Sequence, residues 1–184
     1  MNVGKLVKLG ACAALGAISV CAAFSKAPTT SGPMSTASKQ DIINTLRSKG
    51  SFHKMLKGLE QTYELDKELK GKGPYTVFVA DDKAWKKINQ ADLHTLFGNR
   101  QKLDEVLRYG VIKGQNLNCD QLYKLQGQQV QSLEGRLIEV RMTAGEKEQA
   151  FLFLNDSKVK KADIKCSNGI IHIVDAPLMP PLKK

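Results

Sequence analysis

Two apolar segments constrain this chain more than anything else in it. One is GPYTVFVADDKAW, Gly73 to Trp85; the other is NGIIHIVDAPLMPP, Asn168 to Pro181. Each is a near-continuous hydrophobic run bounded by turn residues, the pattern of a strand buried on both faces. Gly73-Pro74 blocks a helix at the start of the first run. Asp81-Asp82 ends it and offers an N-cap to a short helix holding Ala84 and Trp85. Asn168-Gly169 opens the second run as a tight turn, and Pro177, Pro180 and Pro181 stop it, because proline cannot donate to a sheet ladder.

Between and before these strands the periodicity is helical. Ser38 begins a capping pattern with Asp41, and Ile42, Ile43 and Leu46 form an apolar face that Gly50 ends. Ser51 is positioned to cap a second helix with Phe52, Met55, Leu56 and Leu59 on one side. A short turn holds Leu65 and Leu69, further turns hold Trp85 with Ile88 and Leu93 with Leu96 and Phe97, and Asn99 precedes Leu103, Val106 and Leu107. From Tyr109 to Ile112 the chain reads as strand, ending at Lys113-Gly114. The second half is mostly β: Gln129–Leu133, a hairpin turn at Glu134-Gly135, alternation through Arg136–Met142, a break at Ala144-Gly145-Glu146, then Phe151–Leu154. Asn155-Asp156 turns into a strand around Val159, followed by Ala162-Asp163-Ile164. Helices early and strands late indicate an α+β domain without internal repeats.

The 184 residues suffice for one domain with a real core. The N-terminus reads as an export signal over residues 1–23: Lys5 and Lys8, an apolar stretch from Leu9 to Phe24, and small residues at Cys21-Ala22-Ala23. Lipid attachment at Cys21 is the alternative anchor. Residues 24–38, rich in Ser, Thr, Pro and Ala, form a flexible linker; the domain spans 39–181, with a tail at 182–184. This places the protein in the periplasm or outside the cell, touching a membrane only through signal or lipid. Removing the signal leaves Cys119 and Cys166; export makes a bridge between them the expectation, with two separate buried thiols as the alternative.

The two apolar segments resemble the paired signature blocks of the fasciclin-like domain. The usual first block reads about G-P-F-T-V-F-A-P-T-D-x-A-F, matched here by Gly73, Pro74, Thr76, Val77, Phe78, Asp82 and Ala84; Val79, Ala80 and Asp81 depart from it. The second, N-G-x-I-H-x-I-D-x-V-L-x-P, is matched by Asn168, Gly169, Ile171, His172, Asp175, Leu178 and Pro180, with Val174 and Pro177 as departures. The resemblance covers roughly Gln40 to Pro180. It implies a β-sheet wedge or sandwich core flanked by short helices, with Thr76, Phe78, Asp82, Asn168, Gly169, His172 and Asp175 in structural roles. It also implies an adhesion or interaction module rather than an enzyme. Family members often carry Tyr-His followed by V-V-P-G on the strand here read as Tyr109-Gly110-Val111-Ile112-Lys113-Gly114, so Tyr109, Val111, Ile112 and Lys113 are the candidate interaction residues; the structural alternative for Tyr109 is an aromatic packed under the helices with its hydroxyl satisfied. The histidine is replaced by Gly110 and the proline by Lys113.

No residue pattern points to catalysis. The chain has no metal-ligand spacing, no G-x-S-x-G, no Gly-rich phosphate loop and no paired nucleophile and base. His172 lies between Ile171 and Ile173 and reads as a buried, locally satisfied imidazole; His53 and His94 have no matching ligand partner. No catalytic residue, cofactor or metal is expected. The formal net charge of +10 reads as a solvated basic surface or as attraction to anionic partners. No nucleic-acid motif accompanies it. The expected partner is a cell-surface or matrix protein, or an anionic glycan. The competing expectation is a periplasmic protein that binds a lipid or other apolar small ligand, or maintains the envelope.

Overall fold

A computed structural model describes residues 40–144 and 150–181, all within one unit of the chain. The signal, the linker, the Ser38 cap, the Gly145-Glu146 part of the break and the 182–184 tail lie outside the described residues. Among the described residues seven helices and seven strands follow in order: α1 Ile42–Lys49, α2 His53–Gln61, α3 Tyr63–Leu69, β1 Tyr75–Ala80, α4 Asp82–Trp85, α5 Gln90–Gly98, α6 Arg100–Tyr109, β2 Val111–Lys113, α7 Cys119–Lys124, β3 Gln129–Gln131, β4 Leu137–Ala144, β5 Ala150–Leu154, β6 Ser157–Cys166 and β7 Gly169–Val174.

The strands form a mixed sheet in the order β2-β1-β7-β6-β5-β4-β3. The two signature strands are central neighbours. β1 and β7 run parallel, with Val77 opposite Ile171 and Phe78 opposite His172. Both are buried along almost their whole length, as their unbroken apolar runs require. Val77 and Ile171 are fully buried, and each such side chain stabilises the fold by about 1.5–3 kcal/mol. The two ends of the sheet approach one another: the N–H of Leu133, just past β3, donates to the carbonyl of Val111 in β2 at 2.7 Å. A bond there turns an open sheet into a nearly closed wedge.

Local chemistry explains most element boundaries. The Asp41 carboxylate accepts from the N–H of Asn44 at 2.7 Å to start α1, and Gly50, at φ 63°, ends it. Asn99 caps α6 through the N–H of Lys102. The β4 alternation buries Ile138 and Val140 and exposes Glu139 and Arg141. Asn155, at φ 51°, makes the β5–β6 turn together with Asp156.

Four expectations are corrected. Tyr109 is the last residue of α6, not the first of a strand; it continues the buried stripe of Leu103, Val106 and Leu107 at helical spacing, and β2 begins at Val111. The hairpin between β6 and β7 turns at Ser167-Asn168, with Gly169 already paired to Cys166. Ser51 does not cap α2; Phe52 occupies that position without a side-chain bond. Finally, no bridge joins Cys119 and Cys166. Cys119 opens α7 with its N–H bonded to the Asp163 carboxylate, while the Cys166 thiol donates to the Thr45 hydroxyl of α1. Each cysteine is thus held by a different neighbour, Cys119 by Asp163 of β6 and Cys166 by Thr45 of α1.

Candidate functional site

The two signature blocks meet at their first residues through bare backbone. Gly73 lies against the carbonyl of Asn168, and Gly169 lies against the carbonyl of Tyr75, so a Cβ at either position would strike the opposite chain. The Tyr75 N–H donates to the Asn168 carbonyl at 3.1 Å. Gly73-Pro74 is a cis peptide. Over this junction the Asn168 side chain acts as a three-way tie. Its Oδ1 accepts from the N–H of Ile42 at 3.0 Å, and its Nδ2 donates to the carbonyls of Leu69 at 2.7 Å and Gly71 at 3.1 Å. One amide thus joins the start of α1, the end of α3 and the β6–β7 turn.

His172 and Thr76 form a second tie on the opposite side of the sheet from Val77. His172 Nε2–H donates to the Leu117 carbonyl at 2.8 Å, and Nδ1 faces the Asp163 N–H at 3.4 Å. The Thr76 hydroxyl donates to the Gln115 carbonyl at 2.9 Å and accepts from the Leu117 N–H at 2.8 Å. Together they pin the segment leading to α7. His172 is fully buried, beside the Phe78 ring at 5.5 Å. Burial pushes its pKa below the ordinary value of 6.5, outweighing the opposite pull of the Leu117 carbonyl and Asp163. Both nitrogens of this neutral imidazole are thus engaged within the fold.

The carboxylates are engaged as well. Asp81 caps its own helix α4 through the N–H of Ala84 at 2.7 Å and pairs with Lys160. Asp82 faces away from that cap. Its carboxylate accepts from the N–H groups of His53 at 3.2 Å and Lys54 at 3.0 Å, and from the His53 ring at 2.8 Å, so it caps α2. Burial alone would raise the Asp82 carboxyl, but these bonds hold it below its ordinary value. Asp175 accepts from the Lys158 N–H at 2.8 Å and pairs with Lys87; against the effect of burial, it too is held low. The Asp163 bulge in β6, at φ 60°, aims a carboxylate at the N-terminus of α7.

Of the candidate interaction residues, Tyr109, Val111 and Ile112 are buried and inaccessible to a partner. The Tyr109 hydroxyl donates to the Leu137 carbonyl at 2.8 Å and accepts from the Asn155 amide at 2.7 Å. Burial raises its pKa above 10.0. The exposed member is Lys113, whose ammonium pairs with Glu68 at 2.6 Å. Sequence reasoning missed α7; its signal is Asn118 with Gln121 three residues on, a reciprocal capping box.

Among the described residues no group of three His, Cys, Asp or Glu side chains is placed to hold a metal ion, and no helix is long and apolar enough to cross a membrane. A cleft of about 510 Å³ opens beside the junction of the two signature blocks, lined by Asp41, Lys70 to Pro74, Asn116 and Cys166 to Gly169.

A family model described as Fasciclin domain matches residues 50–180. Among curated relatives, protein sll1483 of Synechocystis sp. is 26% identical over 149 residues, covering 80% of this chain and 77% of that protein. Pig transforming growth factor-beta-induced protein ig-h3 is 26% identical over 147 residues, covering 78% of this chain and 20% of that protein. A heme ligase of Plasmodium falciparum is 27% identical over 157 residues, 77% of each chain. A solved domain pair from the insect cell adhesion molecule Fasciclin I superposes with a TM-score of 0.65 at 19% identity, covering 78% of this chain and 52% of that one. At that identity the superposition shows the fold alone.

Proposed function

The chain belongs to the fasciclin domain family, and from that premise we propose that it is an exported, non-catalytic adhesion module of the cell envelope or extracellular space. It binds a cell-surface or matrix protein, or an anionic glycan, by surface contact. The observation that carries this reading is the employment of the signature polar groups inside the fold. Thr76, Asp82, Asn168, His172 and Asp175 all bond to backbone. The charge left over is on the surface: Lys57, Lys67, Lys72, Lys86 and Lys161 are exposed and none takes part in an ion pair among the described residues. Solvated ammonium groups steer encounters with acidic surfaces and are screened by salt.

The test is binding of the full chain to immobilised acidic and neutral polysaccharides and to envelope preparations, at low and at physiological salt. The expected result is retention on acidic surfaces that falls steeply as salt rises. Retention indifferent to salt, or no retention on any of these surfaces, overturns the reading.

The competing reading, an apolar small ligand held in a pocket, draws support from the cleft and from the name of the heme ligase relative. The side chains around the cleft favour a polar guest instead: Asp41, Lys70, Lys72, Asn116 and Ser167 bring charges, an amide and a hydroxyl to it. Native mass spectrometry of protein from its own host, showing a retained lipid or tetrapyrrole, would reverse that preference.

A further inference from the structure

We infer that the cleft beside the signature junction is a binding site for one acidic saccharide unit of a carboxylated or sulfated glycan, an inference that rests on the adhesion reading above. Its volume, about 510 Å³, falls in the range of small-ligand sites, roughly 300–1,000 Å³. Its chemistry is that of a hydroxyl-rich anion. Lys70 and Lys72 lie on one rim, and only Asp41 offsets them among the lining residues. Lys70 is already paired with Asp66, whereas Lys72 is exposed and in no ion pair among the described residues, so Lys72 is the residue that meets the carboxylate or sulfate.

Hydroxyl recognition needs unspent donors and acceptors, and the cleft has them. Among the described residues no hydrogen bond engages the side chains of Asn116 or Ser167. Asp41 caps α1 through Asn44 yet keeps acceptor capacity on both oxygens for a vicinal diol. The walls are fixed before a ligand arrives. Asn168 ties the carbonyls of Leu69 and Gly71 to the β6–β7 turn, and the Ser167 N–H donates to the Gln40 carbonyl at 2.9 Å. A site built on tied backbone loses little conformational freedom on binding.

Cys166 also lines the cleft, and its rate of alkylation serves as a readout of occupancy. The experiment titrates the full chain with defined oligouronate, sulfated dextran oligomers and neutral dextran oligomers, by calorimetry. It compares the parent with Lys70→Gln/Lys72→Gln and with Lys102→Gln/Lys124→Gln, two exposed lysines that do not line the cleft. Alkylation of Cys166 and Cys119 is followed by peptide mapping with and without saturating saccharide. The expected result is binding to one or both acidic oligomers, weakened about tenfold by the cleft pair, unchanged by the pair outside the cleft, and slower alkylation of Cys166 but not Cys119. The separate carboxylated and sulfated arms identify the acidic group. Equal loss in both double variants, or unchanged Cys166 alkylation at saturation, removes the site from the cleft while leaving acidic-glycan adhesion standing. A parent chain that binds neither acidic oligomer, nor acidic polysaccharide, nor envelope preparation overturns both.

Discussion

The Asp82 carboxylate holds the backbone N–H of Lys54 at 3.0 Å, reaching across 28 residues of sequence to cap a helix that begins before the first signature strand. The family aspartate therefore couples the α4 turn to α2. It does not serve its own helix, which Asp81 caps. Replacing Asp82 by alanine leaves two helix N–H groups without their partner. A loss of about 1–3 kcal/mol is expected in chemical denaturation. Asp82→Asn should recover part of it, since an amide oxygen still accepts.

Asn168 provides a sharper contrast between shape and chemistry. Asn168→Asp keeps the volume but turns a donor to two carbonyls into a second acceptor. It should cost at least as much as Asn168→Ala, about 2–4 kcal/mol. A thermal melt in which the aspartate variant matches the parent would refute the three-way tie.

Tyr109→Phe removes one hydroxyl and leaves the Leu137 carbonyl and the Asn155 amide without their shared partner. A destabilisation of about 1–3 kcal/mol should follow, with the fold retained by circular dichroism. Partner binding by the folded variant should be unaltered, because the residue is buried.

The buried imidazole sets an acid limit above that of the carboxylates. His172 has a folded pKa below its ordinary 6.5, so the unfolded chain binds the extra proton first. Its contribution is complete above pH 6.5 and is lost as pH falls towards the folded value. Asp81, Asp82 and Asp175 are also held low, from 3.8, so their contributions go at more acid pH. Melting temperature should therefore fall in two stages on acidification, and His172→Gln should abolish the first. A parent profile flat from pH 7 to pH 5 would contradict this.

The thiols give a direct chemical check. Both Cys119 and Cys166 should alkylate in denaturant without reductant, and reductant should leave the melting temperature unchanged. Cys166 should be slow in the native protein, because burial raises its pKa and Thr45 engages it.

What was legible in the sequence was what local pattern encodes. β1 and β7 stood out because strands buried on both faces need unbroken apolar runs, and the β4 alternation stood out because one face is wet. Tyr109 misled because Tyr-Gly-Val-Ile looks β-prone; the three-residue step from Val106 was the quieter helical signal. α7 escaped because six residues with one buried leucine make no stripe. The Asp82 cap, the Asn168 tie and the separate placing of Cys119 on α7 and Cys166 on β6 depend on which distant segments meet, and no local rule states that. The cleft likewise exists only once residues near 41, 72, 116 and 167 converge.

The last strand among the described residues is not a border strand: β7 lies between β1 and β6. Until it arrives, the polypeptide holds two half-sheets with raw inner flanks. Truncation before Gly169 thus removes a keystone, and stability should collapse rather than decline by the share of residues lost. The centre of the sheet cannot close before residues 169–174 are free to join it.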